Sequence, residues 1–134
     1  MIGYVNNIEE LTLANENFRQ VLYTGKHCQL VLMSLKPSED IGMEVHESVD
    51  QFFRIEKGEG KVIIDGVENI IKEGSAIIIP AGANHNVINS STTEALKLYT
   101  IYSPANHQKD IVHATKADAE ADEGVEHFDG VTTE

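Results

Sequence analysis

Cysteine is almost missing from this chain. Cys28 is the single thiol among 134 residues, which excludes an internal disulfide and a thiolate zinc cluster and makes a reducing compartment the default. Basic residues are scarce as well: ten Lys and Arg stand against 22 Asp and Glu, for a formal charge of −12, and the ten are scattered singly rather than gathered on a stripe. Such a charge repels phosphate backbones, so nucleic acid is not an expected partner, and no helix-turn-helix pattern precedes the apolar body of the chain. Long apolar runs are lacking too. The opening Met1-Ile-Gly-Tyr-Val-Asn-Asn has neither a basic region nor a long apolar stretch, so no secretion signal and no membrane span are expected, and with the single cysteine the expected location is cytoplasmic.

What is present suits one globular domain. Apolar residues make up 41% and the mean hydropathy is −0.22, enough at this length to bury a core without staples. Phe18 to Tyr23 and Gln29 to Leu35 are rich in β-formers, with Thr24-Gly25-Lys26 between them and the polar cluster Lys36-Pro37-Ser38-Glu39-Asp40 after them. The apolar run after Cys28 predicts a buried, inert thiol. Gln51 to Glu56 and Lys61 to Ile64 flank a Gly58-Glu-Gly60 turn, and Asp65-Gly66 is a two-residue hairpin signal. Val67 to Lys72, Ser75 to Ile79, His85 to Asn89 and Ala95 to Tyr102 keep the same rhythm. Short strands at this spacing predict an all-β sandwich or barrel; an immunoglobulin-like sandwich is the alternative.

The pattern changes after Ser103-Pro104. Over residues 109 to 134, eight acids face only Lys109 and Lys116, and this stretch carries half of the net charge. Thr115-Lys-Ala-Asp118 reads as a capping box that starts a short helix, although Ala117, Ala119 and Ala121 form no coherent apolar face. The expected division is therefore a barrel over residues 1–104, including an N-terminal strand arm, and an acidic C-terminal tail over 105–134. The tail is expected to be largely solvated, with closure over the barrel mouth as the alternative and Phe128 as its anchor. His27, His107, His113 and His127 read as surface or tail histidines. The arm, Tyr4 to Leu13, carries Val5, Ile8, Leu11 and Leu13 and is expected to pair with a second subunit in a homodimer.

The informative stretch runs from Gly74 to Asn89. Gly74, Pro80, Gly82, His85 and Asn89 stand at the spacing G-x5-P-x-G-x2-H-x3-N, where Pro80 and Gly82 shape a bend and His85 follows it onto a strand. Upstream, a pattern G-x5-H-x-H-x3,4-E-x6-G ending at Gly58 places His46 on its second histidine, Glu44 on its first and Gln51 on its glutamate, with Ser38 where the opening glycine belongs. From about Gln29 to Tyr102 the chain thus resembles a small single-domain cupin. The second motif is complete and the first is altered.

This resemblance implies a double-stranded β-helix, the RmlC-like jelly roll, with a divalent metal ion (Zn, Mn, Fe or Ni) held by Glu44, His46, Gln51 and His85. The residues themselves agree. Strand side chains alternate faces, so Glu44 and His46 point the same way, and Gln51 can join them from an adjacent strand. Two imidazoles and one carboxylate suit these metals, and an amide oxygen is a weak, neutral fourth donor. Glu44 is also the candidate catalytic acid or base, whether or not it touches the metal. Asn89 is expected to cap a turn. The resemblance extends to stand-alone cupins likened to mannose-6-phosphate isomerase. It implies a metal-dependent isomerase or lyase acting on a small sugar or organic acid, with a dioxygenase or a non-catalytic small-molecule binding module as alternatives. Arg19, Arg54 and Lys97 are the only cations near the strands, which speaks against a phosphorylated substrate.

Overall fold

A computed structural model describes all residues from Met1 to Glu134. Two antiparallel sheets face each other. In chain order the elements are α1 (Ile8–Ala14), β1 (Arg19–Thr24), β2 (Gln29–Leu35), β3 (Glu44–Val45), β4 (Asp50–Lys57), β5 (Glu59–Ile64), β6 (Val67–Lys72), β7 (Ala76–Ile79), β8 (Asn84–Asn89), β9 (Leu96–Ser103), β10 (Val112–His113) and α2 (Lys116–Ala121). One sheet runs β10-β1-β2-β9-β4-β7 and the other β3-β8-β5-β6. This is the jelly roll anticipated from the sequence. No helix is long and apolar enough to cross a membrane.

The inward-facing residues of the two sheets form the core, with clean alternation on β4 and β7 and near-continuous burial along the central strand β2. Val31, Met33, Leu35, Phe53, Ile55, Leu96, Leu98, Val62, Val87, Ile77 and Ile79 fill the space between the sheets. The Asp65-Gly66 hairpin forms as expected, with φ of 45° and 82°, the left-handed pair that matches strand twist.

Four expectations fail. The N-terminal arm is a helix, not a strand: the Asn7 side chain accepts from Glu10 N–H at 3.1 Å, and Ile8–Ala14 pack against β9, β4 and β2. Lys97, buried beneath it, donates to the Asn15 carbonyl and meets the Glu16 carboxylate at 3.0 Å. This segment therefore has no free strand edge to offer a second subunit. Cys28 is exposed, because it precedes β2 in the turn closed by Gly25 N–H to the Cys28 carbonyl at 2.8 Å. His107 and His113 are buried, at 4% and 3% exposure, rather than lying on the surface. The tail is likewise folded onto the barrel.

Polar pairs hold that tail in place of bulky apolar residues. His107 Nδ1–H donates to Glu126, itself buried, and His113 Nε2 meets Asp122 Oδ2 at 2.9 Å. β10 pairs with β1 through Arg19 opposite His113, and Thr133 N–H donates to the Thr24 carbonyl at 2.8 Å. The capping box at α2 forms as read, and of its alanines only Ala119 is buried. Phe128 is half-buried, a lesser anchor than the histidine pairs.

Removing one member of a buried pair strands the other without solvent. Glu126→Ala is therefore expected to lower stability by about 1–3 kcal/mol. Urea denaturation measures this, and a loss within a few tenths of a kcal/mol would show that His107 finds another partner.

Candidate metal centre

Glu44 and His85 are direct cross-strand partners, because β3 pairs antiparallel with β8 in the register Glu44 to His85 and Val45 to Asn84. Partners in such a pair share a face, and His46, two residues beyond Glu44, shares it too. The turn after β7 secures the arrangement: Gly82, at φ 87°, donates its N–H to the His46 carbonyl at 2.9 Å. The Pro80–Gly82 bend thus fastens one motif to the other.

The donor atoms of Glu44, His46 and His85 all lie within 4.8 Å of one another. Glu44 Oε2 is 3.2 Å from His46 Nε2 and 4.0 Å from His85 Nε2. His85 is 2% exposed, and its Nδ1–H donates to the Ala83 carbonyl at 3.0 Å. That bond fixes the tautomer and leaves Nε2 as a lone pair facing the cluster, buried and without a partner. An orphaned imidazole lone pair beside a carboxylate and a second imidazole fits a divalent cation. Burial pushes the Glu44 carboxyl up. The His46 hydrogen bond and the positive charge nearby, of which Arg19 is the permanent one, outweigh it and hold the group below its ordinary range. Glu44 is therefore an anionic donor at neutral pH.

Gln51 sits on β4 of the opposite sheet, in register with Tyr102, and faces inward at 2% exposure. Its Nε2 donates to Thr100 Oγ1 at 3.0 Å, while its Oε1 is buried and unpartnered. A free amide oxygen is the one atom through which glutamine can serve a cation. Asn89 turns its amide away from the cluster and donates to the carbonyls of Leu35, Lys36 and Glu94, so its part is structural as expected.

Sequence reasoning missed the layer behind the donors. Tyr102 packs T-shaped against His46, with centroids 5.8 Å apart, and its hydroxyl meets His107 Nε2 at 3.1 Å. Because His107 Nδ1–H is committed to Glu126, Nε2 accepts from the tyrosine. Burial keeps the Tyr102 phenol well above its usual range, and burial also lowers the His107 pKa although Glu126 opposes it. Both groups are neutral at pH 7. No local pattern around His107 announces this role, since its partners are 5 and 19 residues away. His27 and His127 are exposed as expected.

The cluster opens into a cavity of about 430 Å³ between β1, β3 and the tail, lined among others by Arg19, Glu44, His46, His107, Lys116 and Glu126. A two-sheet jelly roll with a histidine and carboxylate cluster at such a cavity is the architecture of a small cupin-type barrel with a candidate metal site. Residues 31–102 match the Cupin domain family, and the chain belongs to it. It is 50% identical over 126 residues to the uncharacterised protein YrkC of Bacillus subtilis, covering 90% of this chain and 67% of that one. The crystal structure of BH2720 from Bacillus halodurans superposes with a TM-score of 0.86 at 44% identity, over 88% of this chain and 93% of that one. A predicted oxalate decarboxylase from Thermotoga maritima superposes with a TM-score of 0.55 at 25% identity, over 59% and 68% of the two chains.

His46→Ala and His85→Ala are each expected to empty the metal site with the barrel still folded, and Gln51→Ala to weaken binding less. Metal content per chain by elemental analysis, with circular dichroism as the folding control, tests this. Full occupancy in the double histidine variant would remove both residues from the ligand set.

Proposed function

We propose that this cupin is a metal-dependent enzyme of the isomerase or lyase type that acts on a small sugar or organic acid. The observation that carries the reading is the convergence of Glu44, His46 and the orphaned Nε2 of His85 at the head of a cavity large enough for one small metabolite. Glu44, His46 and His85 would hold the ion, with the free Oε1 of Gln51 as a weaker fourth donor; the set suits Zn, Mn, Fe or Ni. When bound, such an ion supplies Lewis-acid polarisation of a carbonyl or chelation of an enediol. The chain's own residues do the rest. Glu44 is ionised at neutral pH; if it stands off the ion rather than binding it, it is the residue placed to exchange a proton with substrate. The buried Tyr102–His107–Glu126 series backs His46 and limits its motion. The tail closes one wall and limits substrate size. The description of the Thermotoga relative as a predicted oxalate decarboxylase lends weight to an organic acid over a sugar.

Two imidazoles with one carboxylate and open positions are also the donor set of non-haem iron oxygenases, which favours a dioxygenase as the second reading. The metal discriminates. Elemental analysis of the protein as purified is expected to find zinc, manganese or nickel near one per chain. Iron would favour oxygen chemistry, and a metal-free protein would leave a binding module. Glu44→Gln removes the anionic donor and is expected to lower metal affinity about tenfold or more. Unchanged metal content with lost turnover would instead make Glu44 a proton carrier that does not touch the ion.

A homodimer belongs to the same proposal and now rests on different residues. β6 is an edge strand of the four-stranded sheet, and its Val67 and Ile70 are 62% and 84% exposed. Light scattering is expected to give about twice the 14.8 kDa chain mass, and Ile70→Lys to restore a monomer. A monomer in the unaltered protein would end this part of the proposal.

A further inference from the structure

Arg19 is a buried cation that the metal chemistry leaves unused. It opens β1 at 5% exposure and lines the same cavity as Glu44 and His46. None of the chain's ion pairs includes it. Its Nε has no hydrogen-bond partner, and Nη1 meets only His113 Nδ1, at 3.4 Å. A guanidinium cannot shed its charge, so burying it without a counter-ion is costly.

The surroundings orient this group without pairing it: Glu44 feels its charge but makes no contact with it. His113 Nε2–H donates to Asp122 at 2.9 Å, which leaves Nδ1 as the acceptor turned to Arg19. The Phe18 ring lies 5.4 Å from the guanidinium carbon. None of the acids nearby is paired with it: Glu44 belongs to the donor cluster, Glu126 is bonded to His107, and Glu120 and Glu123 lie exposed on the cavity wall. Lys116 is the other cation on the wall, and it is paired with Asp40 at 2.6 Å. One free guanidinium presents one planar fork, which matches a carboxylate; a phosphate dianion calls for more cations than the cavity offers.

We propose that Arg19 is the anion-binding residue of the cavity and that the substrate is a small carboxylic acid. Its carboxylate docks on Arg19 while another oxygen of the same molecule reaches the Glu44, His46 and His85 cluster. The inference rests on the metal-enzyme reading for that second contact alone.

The test uses calorimetric titration of the full-length, metal-loaded protein with glycolate, 3-hydroxypropanoate and 4-hydroxybutanoate, and with their primary amides. At least one acid is expected to bind about tenfold or more tightly than its amide. Arg19→Gln is expected to abolish that preference while metal content stays at the wild-type level; Arg19→Lys, which keeps the charge but loses the fork, should be intermediate. Equal binding of acids and amides by the wild-type protein overturns the proposal, as does Arg19→Gln binding the acid unchanged. Inorganic phosphate displacing the acid at lower concentration than the acid itself requires would overturn the carboxylate assignment. Should Arg19→Gln fail to fold, the wild-type acid-to-amide ratio and Arg19→Lys decide the matter. Arg19-dependent acid binding by a protein that holds no metal would sink the metal reading and spare this one; normal metal content with Arg19-independent binding would do the reverse.

Discussion

A pairing only two residues long carries the site. β3 lies against β8 through Glu44 and Val45, and that contact turns two distant stretches of sequence into one donor cluster. Strand side chains alternate with a period of two, so a slip of a single residue would swing Val45 inward and Glu44 and His46 outward. So short a ladder cannot hold its own register. Flanking polar contacts hold it instead: Gly82 N–H to the His46 carbonyl beyond one end, and Gly42 N–H to Asn86 Oδ1 at 2.9 Å before the other. Asn86 is fixed in turn by its Nδ2 donating to Asp40 at 2.9 Å, and Asp40 is fixed by Lys116 from the tail. The geometry of the cluster is therefore tied to the C-terminal segment through a chain of side-chain contacts.

This dependence explains which parts of the molecule could be read in advance. Strands β2 and β6 to β9, and the bend at Pro80 and Gly82, are local: apolar alternation and turn residues lie within a few positions of one another, and their conformations follow. β3 has no such signature, and Glu44 was found only because His46 and Gly58 fix a spacing around it. The N-terminal helix did carry a signal in Asn7 with Glu10 three residues on, but its apolar residues at 8, 11 and 13 are too few to set a helical period against a strand one. The tail was opaque for a different reason. Its acids look like solvated charge until their partners are known, and Glu126 finds His107 nineteen residues away. An apolar pattern cannot report a segment that is fastened by polar pairs.

The acidity of the chain takes on a second meaning from these contacts. Part of the excess negative charge is spent locally: Asp122 and Glu126 are each committed to a histidine, and Asp40 to a lysine. What remains at the cavity after these commitments is the Glu44 carboxylate at the donor cluster, the exposed Glu120 and Glu123 on the tail wall, and one guanidinium outside every ion pair. A cation added at Glu44, His46 and His85 and an anion added at Arg19 would leave neither charge alone.

Stability alone would not select this arrangement. Replacing buried ionic groups by well-packed apolar ones is often neutral or favourable, and the space between the sheets below the cavity is filled by aliphatic and aromatic side chains in just that way. Yet Arg19, His107, Glu126, His85 and Gln51 are all at least nine-tenths buried; Arg19, His107 and Glu126 line the cavity, and His85 is the cross-strand partner of Glu44, which does too. Buried charge also occurs under α1, where Lys97 is satisfied by the Asn15 carbonyl and Glu16; around the cavity, by contrast, buried polar atoms are left without partners, which is the pattern expected of a ligand site. Four buried side-chain atoms lack a hydrogen-bond partner: Arg54 Nε has Glu56 at 3.5 Å, and the other three, Arg19 Nε, Gln51 Oε1 and His85 Nε2, offer a donor and two acceptors, which would complement an anionic ligand bridging to a cation.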